Sequence, residues 1–288
     1  MSTRLELKKF DMSRITHDKI CVFIGKRKTG KSFCVRDLLY HVRDIPCGIV
    51  MSATEKANSF YSSHVPNIFI HDEWNSGVVD NLLEKQRRAL TSGRKKFDTF
   101  VILDDLMYDK RWIADKGVSE IFMNGRHYKI LFILTLQYAL GIPPALRANV
   151  DFIFVFKENV ISNRKRVWEH YCGVIPTFKQ FNEIMDACTE DFKCLVIDNS
   201  STSNEIGDCV YWYKAESHTN FRVGSERFWK LHEELTDAKA MSVANERAVA
   251  AARRDLRAKT PSLNGQGNGS AVDQARRIQT GSIILQDQ

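Results

Sequence analysis

The chain has 288 residues, 43% hydrophobic and 10% aromatic, with a formal charge of +7 and a pI of about 9.0. That suffices for one large α/β domain, or a domain with an appendage, and the basic balance suits a polyanionic partner. The seven cysteines, at 21, 34, 47, 172, 188, 194 and 209, form no C-x-x-C pair, so neither a disulfide framework nor a structural zinc is expected, and a reducing compartment is. The first residues lack a secretory apolar core and no apolar run approaches membrane-spanning length, so the protein is expected to be soluble, intracellular and without a membrane anchor.

Residues 1–18 read as a charged arm in which Leu5, Leu7 and Phe10 offer a short strand. An apolar strand over 20–24 runs into Gly25-Lys26-Arg27-Lys28-Thr29-Gly30-Lys31-Ser32 and then a helix over about 31–43. Pro46 turns the chain into a second strand over 47–51, which ends at the polar loop Ser52-Ala53-Thr54-Glu55. Asn67 to Ile70 suggests a further short strand, and the spacing of Val78, Val79, Leu82, Leu83 and Leu90 predicts a helix over about 76–92. Thr99 to Leu103 is a continuous apolar run closed by Asp104-Asp105, the pattern of a strand buried on both faces. A helix over roughly 116–125 leads to a buried strand from Lys129 to Thr135, ending at Gln137. Pro143-Pro144 opens a short helix, and Asp151 to Phe156 is the fifth core strand. Helices follow over about 161–172 and 178–188. Lys193–Ile197 and Asp208–Tyr213 then form an antiparallel pair at the sheet edge, joined by a polar loop. Beyond about 236 the composition changes to an alanine- and arginine-rich helix over 238–258, a linker from Thr260 to Ser270 and a basic tail. The domain reading is thus an arm over 1–18, a core over 19–236 and an appendage over 237–288.

Strands alternating with helices predict a mostly parallel sheet with helices on both faces, and ligands at the carboxyl ends of the strands. Gly25–Ser32, Glu55, Asp104/Asp105 and Gln137 all fall there. A G-x-x-x-x-G-K-[ST] loop between strand and helix wraps a phosphate with its backbone N–H groups, helped by the positive end of the helix. Gly25, Lys26, Arg27, Lys28, Thr29 and Gly30 would form that cradle, Lys31 would reach the β- and γ-phosphates, and Ser32 would place its hydroxyl on Mg²⁺. Asp104 is expected to hold Mg²⁺ opposite Ser32, and Asp105 to orient or deprotonate the attacking water, with Glu55 as the alternative base. Gln137 is placed to contact the γ-phosphate or that water. Arg126 precedes its strand, so it lies at the edge opposite its own nucleotide and can serve only a neighbour's site. Arg147 is a second candidate in trans and Arg27 one in cis. Arg94-Lys95-Lys96, Arg164-Lys165-Arg166 and the tail are basic clusters suited to a nucleic-acid backbone, with strong salt dependence.

The chain resembles the DNA-packaging ATPases of large double-stranded DNA viruses, of giant-virus and poxvirus type, within the FtsK–HerA class of P-loop translocases. The resemblance covers about 10–235 and rests on Gly25–Ser32, Ser52-Ala53-Thr54-Glu55, Val101 to Asp105, Phe122-Met123-Asn124-Gly125-Arg126-His127, Thr135-Leu136-Gln137-Tyr138, and Pro144 to Asp151. It implies a three-layer P-loop NTPase of RecA/ASCE type with a mostly parallel sheet and a C-terminal antiparallel edge hairpin. It also implies a homo-oligomeric ring that hydrolyses ATP with Mg²⁺ to move double-stranded DNA into a capsid, capsid proteins as partners, and a place in the host cytoplasm (a viral factory) or the virion. Gln137 would be its sensor and Arg126 the arginine finger supplied by a neighbour. Many members of the class carry Asp-Glu where this chain has Asp104-Asp105, which leaves the base open between Asp105 and Glu55. A nucleotide or small-molecule kinase is the rival reading, but no arginine-rich lid is evident. A fused nuclease would need a further domain, and a purely regulatory module would not need Asp105 and Gln137.

Overall fold

The computed structural model describes residues 6–92 and 97–259. Nine strands form one sheet: β1 (Lys8–Lys9), β2 (Ile20–Ile24), β3 (Cys47–Ser52), β4 (Ile70–His71), β5 (Thr99–Asp104), β6 (Ile130–Leu136), β7 (Phe152–Val155), β8 (Lys193–Asp198) and β9 (Val210–Lys214). Their order is β1-β9-β8-β7-β2-β6-β5-β3-β4. Every pairing is parallel except the two made by β8, with β7 and with β9. The expected antiparallel pair is therefore present near one edge, and β1 adds a short parallel strand outside it.

Strands β2, β5, β6 and β7 are buried along their whole length, because both faces of the sheet are covered. Side chains alternate between faces along a strand. Ile20, Val22 and Ile24 accordingly enter one core cluster, and Cys21 and Phe23 the other. The second cluster holds the apolar side of α1 (Lys31–His41), through Cys34, Val35, Leu38 and Leu39. The first takes α3 (Ser76–Thr91), α5 (Lys116–Asn124), α7 (Ile161–Tyr171) and α8 (Phe178–Cys188) on the opposite face. The result is three layers. Side chains of Asn75, Asp115 and Thr177 accept first-turn N–H groups and so start α3, α5 and α8.

Several elements differ from expectation. Pro66 directs Asn67–Phe69 into a 3₁₀ turn, so only Ile70–His71 pairs as β4. Three single-turn helices interrupt predicted loops: α2 (Glu55–Asn58), α4 (Arg111–Ala114) and α9 (Ile206–Cys209); the short helix opened by Pro143-Pro144 is α6 (Pro144–Arg147). The charged arm is sewn into the core. Phe10 is buried, with its ring edge-on to Phe152, Phe154, Tyr211 and Tyr213. The C-terminal helix α10 spans Glu226–Lys259, starting well before Ala238. The chain divides after Thr236 into two compact units, and among the described residues no helix is long and apolar enough to cross a membrane. Arg94–Lys96, the linker Thr260–Ser270 and the tail lie outside the described residues.

The strand order sets the relative positions of the strand-end residues. β6 lies between β2 and β5, so Gln137 stands between the glycine-bounded loop after β2 and the carboxylates after β5.

Candidate functional site

The loop after β2 closes tightly. The Gly25 N–H donates to the Leu136 carbonyl at 3.0 Å, and a Cβ at Gly25 would stand 2.6 Å from Phe156 Cβ. Lys28 (φ 63°) and Gly30 (φ 99°) take left-handed conformations, which turn the chain into α1. Thr29 Oγ1 donates to the Lys26 carbonyl at 2.7 Å. The Lys31 ammonium lies back over the loop, donating to the Gly25 carbonyl and, at 3.1 Å, to that of Lys26. Burial pulls the Lys31 amine down, and Asp105 and Asp104 oppose that shift.

Asp104 ends β5 and is buried. Its carboxylate accepts from Thr135 Oγ1 at 2.6 Å and from Ser52 Oγ at 3.2 Å. Burial nevertheless pushes its pKa up, the Thr135 and Ser52 hydroxyls working against that. Asp105 follows with φ 52°, a conformation that aspartate tolerates better than most residues. Its N–H donates to Thr135 Oγ1 at 3.1 Å. Its carboxylate accepts from Gln137 Nε2 and lies 3.9 Å from an Arg27 nitrogen. Thr135 thus ties the Asp104 carboxylate and the Asp105 backbone to β6, and Gln137 meets the Asp105 carboxylate directly.

Lys26, Arg27, Lys28, Gly30, Lys31, Ser32, Thr54, Asp104, Asp105 and Thr135 all border one open cleft. Ser32, Thr135 and the two aspartates offer only oxygen ligands, the donor type that suits Mg²⁺. A buried carboxylate held up by desolvation is the group a cation would most relieve. Gln137 borders not this cleft but a separate cavity of about 350 Å³, lined also by Gly25, Tyr138, Glu158 and Arg166. There Lys26 pairs with the Glu158 carboxylate at 2.6 Å.

Other predicted residues fall elsewhere. Glu55 does not border the cleft. Its two oxygens accept the N–H groups of Tyr61 and Ser62, each at 2.9 Å, which closes the turn after α2. Arg126 lies before β6, with its guanidinium 3.8 Å from Asp151 at the start of β7. Arg147 stacks its guanidinium 5.6 Å above the Tyr171 ring. In the basic cluster of α7, Arg164 is buried and pairs with Asp186 at 2.8 Å, so it is not a surface cation.

Sequence reasoning did not name Tyr61, and named Ser52 and Thr135 only within motif blocks, without a role. Ser52 and Thr135 are the polar residues near the ends of otherwise apolar strands, and that was the available signal. Ser52 is the direct register partner of Asp104. Tyr61 is fully buried beside Asp104, and its hydroxyl lacks a hydrogen-bond partner of normal geometry. Burial, and next the Asp104 charge, push that phenol well up.

No protein-family model matches the chain. Among solved structures it is similar to B204, the DNA-packaging ATPase from Sulfolobus turreted icosahedral virus. The TM-score is 0.52 and the identity 17%, over 70% of this chain and 100% of that one. It is likewise similar to the genome-packaging NTPase B204 of Sulfolobus turreted icosahedral virus 2, solved with AMPPCP, at TM-score 0.51 and 16% identity over the same 70% and 100%. These likenesses show the fold. By sequence the chain is 37% identical over 238 residues to the uncharacterized protein L437 of Acanthamoeba polyphaga mimivirus, across 80% of this chain and 84% of that protein. It is 42% identical over 195 residues to the uncharacterized protein 075L of Invertebrate iridescent virus 6, across 67% of this chain and 76% of that protein. With a P-loop-type sheet and relatives of this closeness, the chain belongs to the viral protein family represented by L437 and 075L.

Proposed function

We propose that the protein is an ATPase that drives double-stranded DNA into a viral capsid as a homo-oligomeric ring. The observation that carries the hydrolytic part is the insertion of β6 between β2 and β5, with Thr135 binding both aspartates and Gln137 binding Asp105. A phosphate-binding loop alone needs none of these ties. Lys31 would leave its loop carbonyls to meet the β- and γ-phosphates, and Ser32 and Asp104 would hold Mg²⁺, which would supply neutralisation of the charge developing on the phosphates. Asp105 orients the attacking water and accepts its proton. Gln137, bonded to that same carboxylate, carries the change at the γ-phosphate into the end of β6.

Arg126 is the residue that asks for a second subunit. It precedes β6, whose run from Ile130 to Leu136 puts it about 20 Å from the cleft at ~3.3 Å per residue. It is half-exposed there, available to a neighbour's nucleotide. The DNA part rests on the likeness of fold to two packaging enzymes, on the viral relatives and on the charge of +7. Contacts to the phosphate backbone would suit a motor indifferent to sequence.

The test is ATP turnover against duplex DNA concentration at two salt levels, with Lys31→Ala as the control. Stimulation by DNA that is lost at high salt is expected, and no turnover in the control. Turnover indifferent to DNA refutes translocation, and turnover retained by Lys31→Ala refutes the site.

A further inference from the structure

Away from the cleft, the other end of α1 holds a second polar centre. Asp37 is fully buried, yet among the described residues its ion-pair partners are only two imidazoles. His218 Nε2 lies 2.6 Å from its Oδ1. His41 Nε2, one helical turn further along α1, lies 3.4 Å from the same Oδ1. The three ligand atoms all lie within 4.8 Å of one another. The ligands of a tetrahedral Zn²⁺ stand about 3.3 Å apart, given metal–nitrogen bonds near 2.0–2.1 Å. The His41–Asp37 pair, at 3.4 Å, already has that spacing, and the His218–Asp37 pair, at 2.6 Å, would reach it by opening less than an ångström.

The surroundings hold two of these ligands, Asp37 and His218, in place. The second oxygen of Asp37 accepts from Tyr213 OH at 2.6 Å and from the Glu216 N–H at 2.9 Å. The carboxylate is thus fixed by partners that leave Oδ1 to the imidazoles. The His218 ring is stacked on Tyr40 at 3.7 Å with a 6° interplanar angle, so its Nε2 keeps its aim. Ordered outer partners of this kind are what orient ligands in metal centres. Two imidazoles and a carboxylate suit Zn²⁺ and neighbouring transition ions, not Mg²⁺.

We infer that Asp37, His41 and His218 form a divalent transition-metal site of Zn²⁺ type, completed by water. The ion ties the segment after β9 to the helix that begins at the phosphate loop. It lies outside the earlier expectation of no structural zinc because that expectation rested on cysteine spacing. Here the ligands are drawn from positions 181 residues apart.

The experiment uses the full chain stripped with EDTA and titrated with Zn²⁺ by calorimetry at neutral pH, without nucleotide, and separately with Co²⁺ followed by visible absorption. The expected result is one equivalent bound, a raised melting temperature and a Co²⁺ spectrum free of a thiolate charge-transfer band. His218→Ala and His41→Ala should each weaken binding by about tenfold or more. His41→Ala keeps the His218–Asp37 bond, so it separates metal binding from a hydrogen-bonded lock. No binding by the native chain, unchanged binding by His41→Ala, or a thiolate spectrum would overturn the site. Because no readout involves ATP or DNA, the result stands apart from the proposed motor activity.

Discussion

Replacing Thr135 by valine removes one hydroxyl and keeps the side chain's shape. That hydroxyl donates to Asp104 at 2.6 Å and accepts the Asp105 N–H at 3.1 Å. A hydrogen bond to a charged group contributes about 1.5–3 kcal/mol, and leaving a buried N–H unpaired costs about 1–3 kcal/mol. The Asp105 N–H bond is only part-buried, so the lower end applies there. The expected loss is about 3 kcal/mol, a large part of a domain stability of roughly 5–15 kcal/mol. The Thr135 bond is also the largest influence holding the Asp104 pKa down against burial, so valine drives that pKa further up. Metal binding needs the ionised carboxylate. Turnover at neutral pH should then require more Mg²⁺, and the deficit should shrink as the pH is raised. Urea denaturation measures the first effect and rate against Mg²⁺ at two pH values the second. Thr135→Ser should restore both. A valine variant as stable as its parent, with unchanged Mg²⁺ dependence, would refute the role given to this hydroxyl.

The two candidate bases should separate by opposite signatures. Asp105→Asn keeps a residue that tolerates a left-handed backbone, so it should lose turnover with little loss of stability. Glu55→Gln can accept only one of the two N–H groups that Glu55 holds, so it should lose about 1 kcal/mol of stability and keep turnover; the reverse pattern would restore Glu55 as the base. Asp104 has a folded-state pKa raised above 3.8 by burial. Between the unfolded and folded values the native state therefore binds more protons, and stability falls as pH rises. Asp104→Asn should raise the melting temperature at neutral pH, with the gain shrinking toward pH 4, while abolishing Mg²⁺-dependent turnover; a lower melting temperature at pH 7 contradicts this. Finally, mixing inactive Arg126→Ala with inactive Lys31→Ala subunits should recover hydrolysis, and no recovery argues against action between subunits.

The local parts of the site were legible before the fold. A glycine-bounded loop between an apolar strand and a helix, and two carboxylates closing an apolar run, are patterns within one stretch of chain. Strand burial was legible for the same reason, since Thr99–Asp104 and Ile130–Leu136 have no polar face to offer water. The roles of Glu55 and Arg164 were not. Glu55 has the right place at a strand end, but a one-turn helix lets it close its own turn. Arg164 sits in a basic triplet, but its helix turns it inward onto Asp186.

From sequence alone came the strand–loop–helix unit, the alternation that makes the sheet parallel, and the residue types at the strand ends, because each depends on neighbours along the chain. Tertiary structure alone decided that β6 enters between β2 and β5. Strand order is set by which apolar faces pack together, and it leaves no mark in any single stretch. That insertion joins Thr135 to both aspartates and Gln137 to Asp105. The same folding carries His218 back to Asp37, which no spacing rule would have paired.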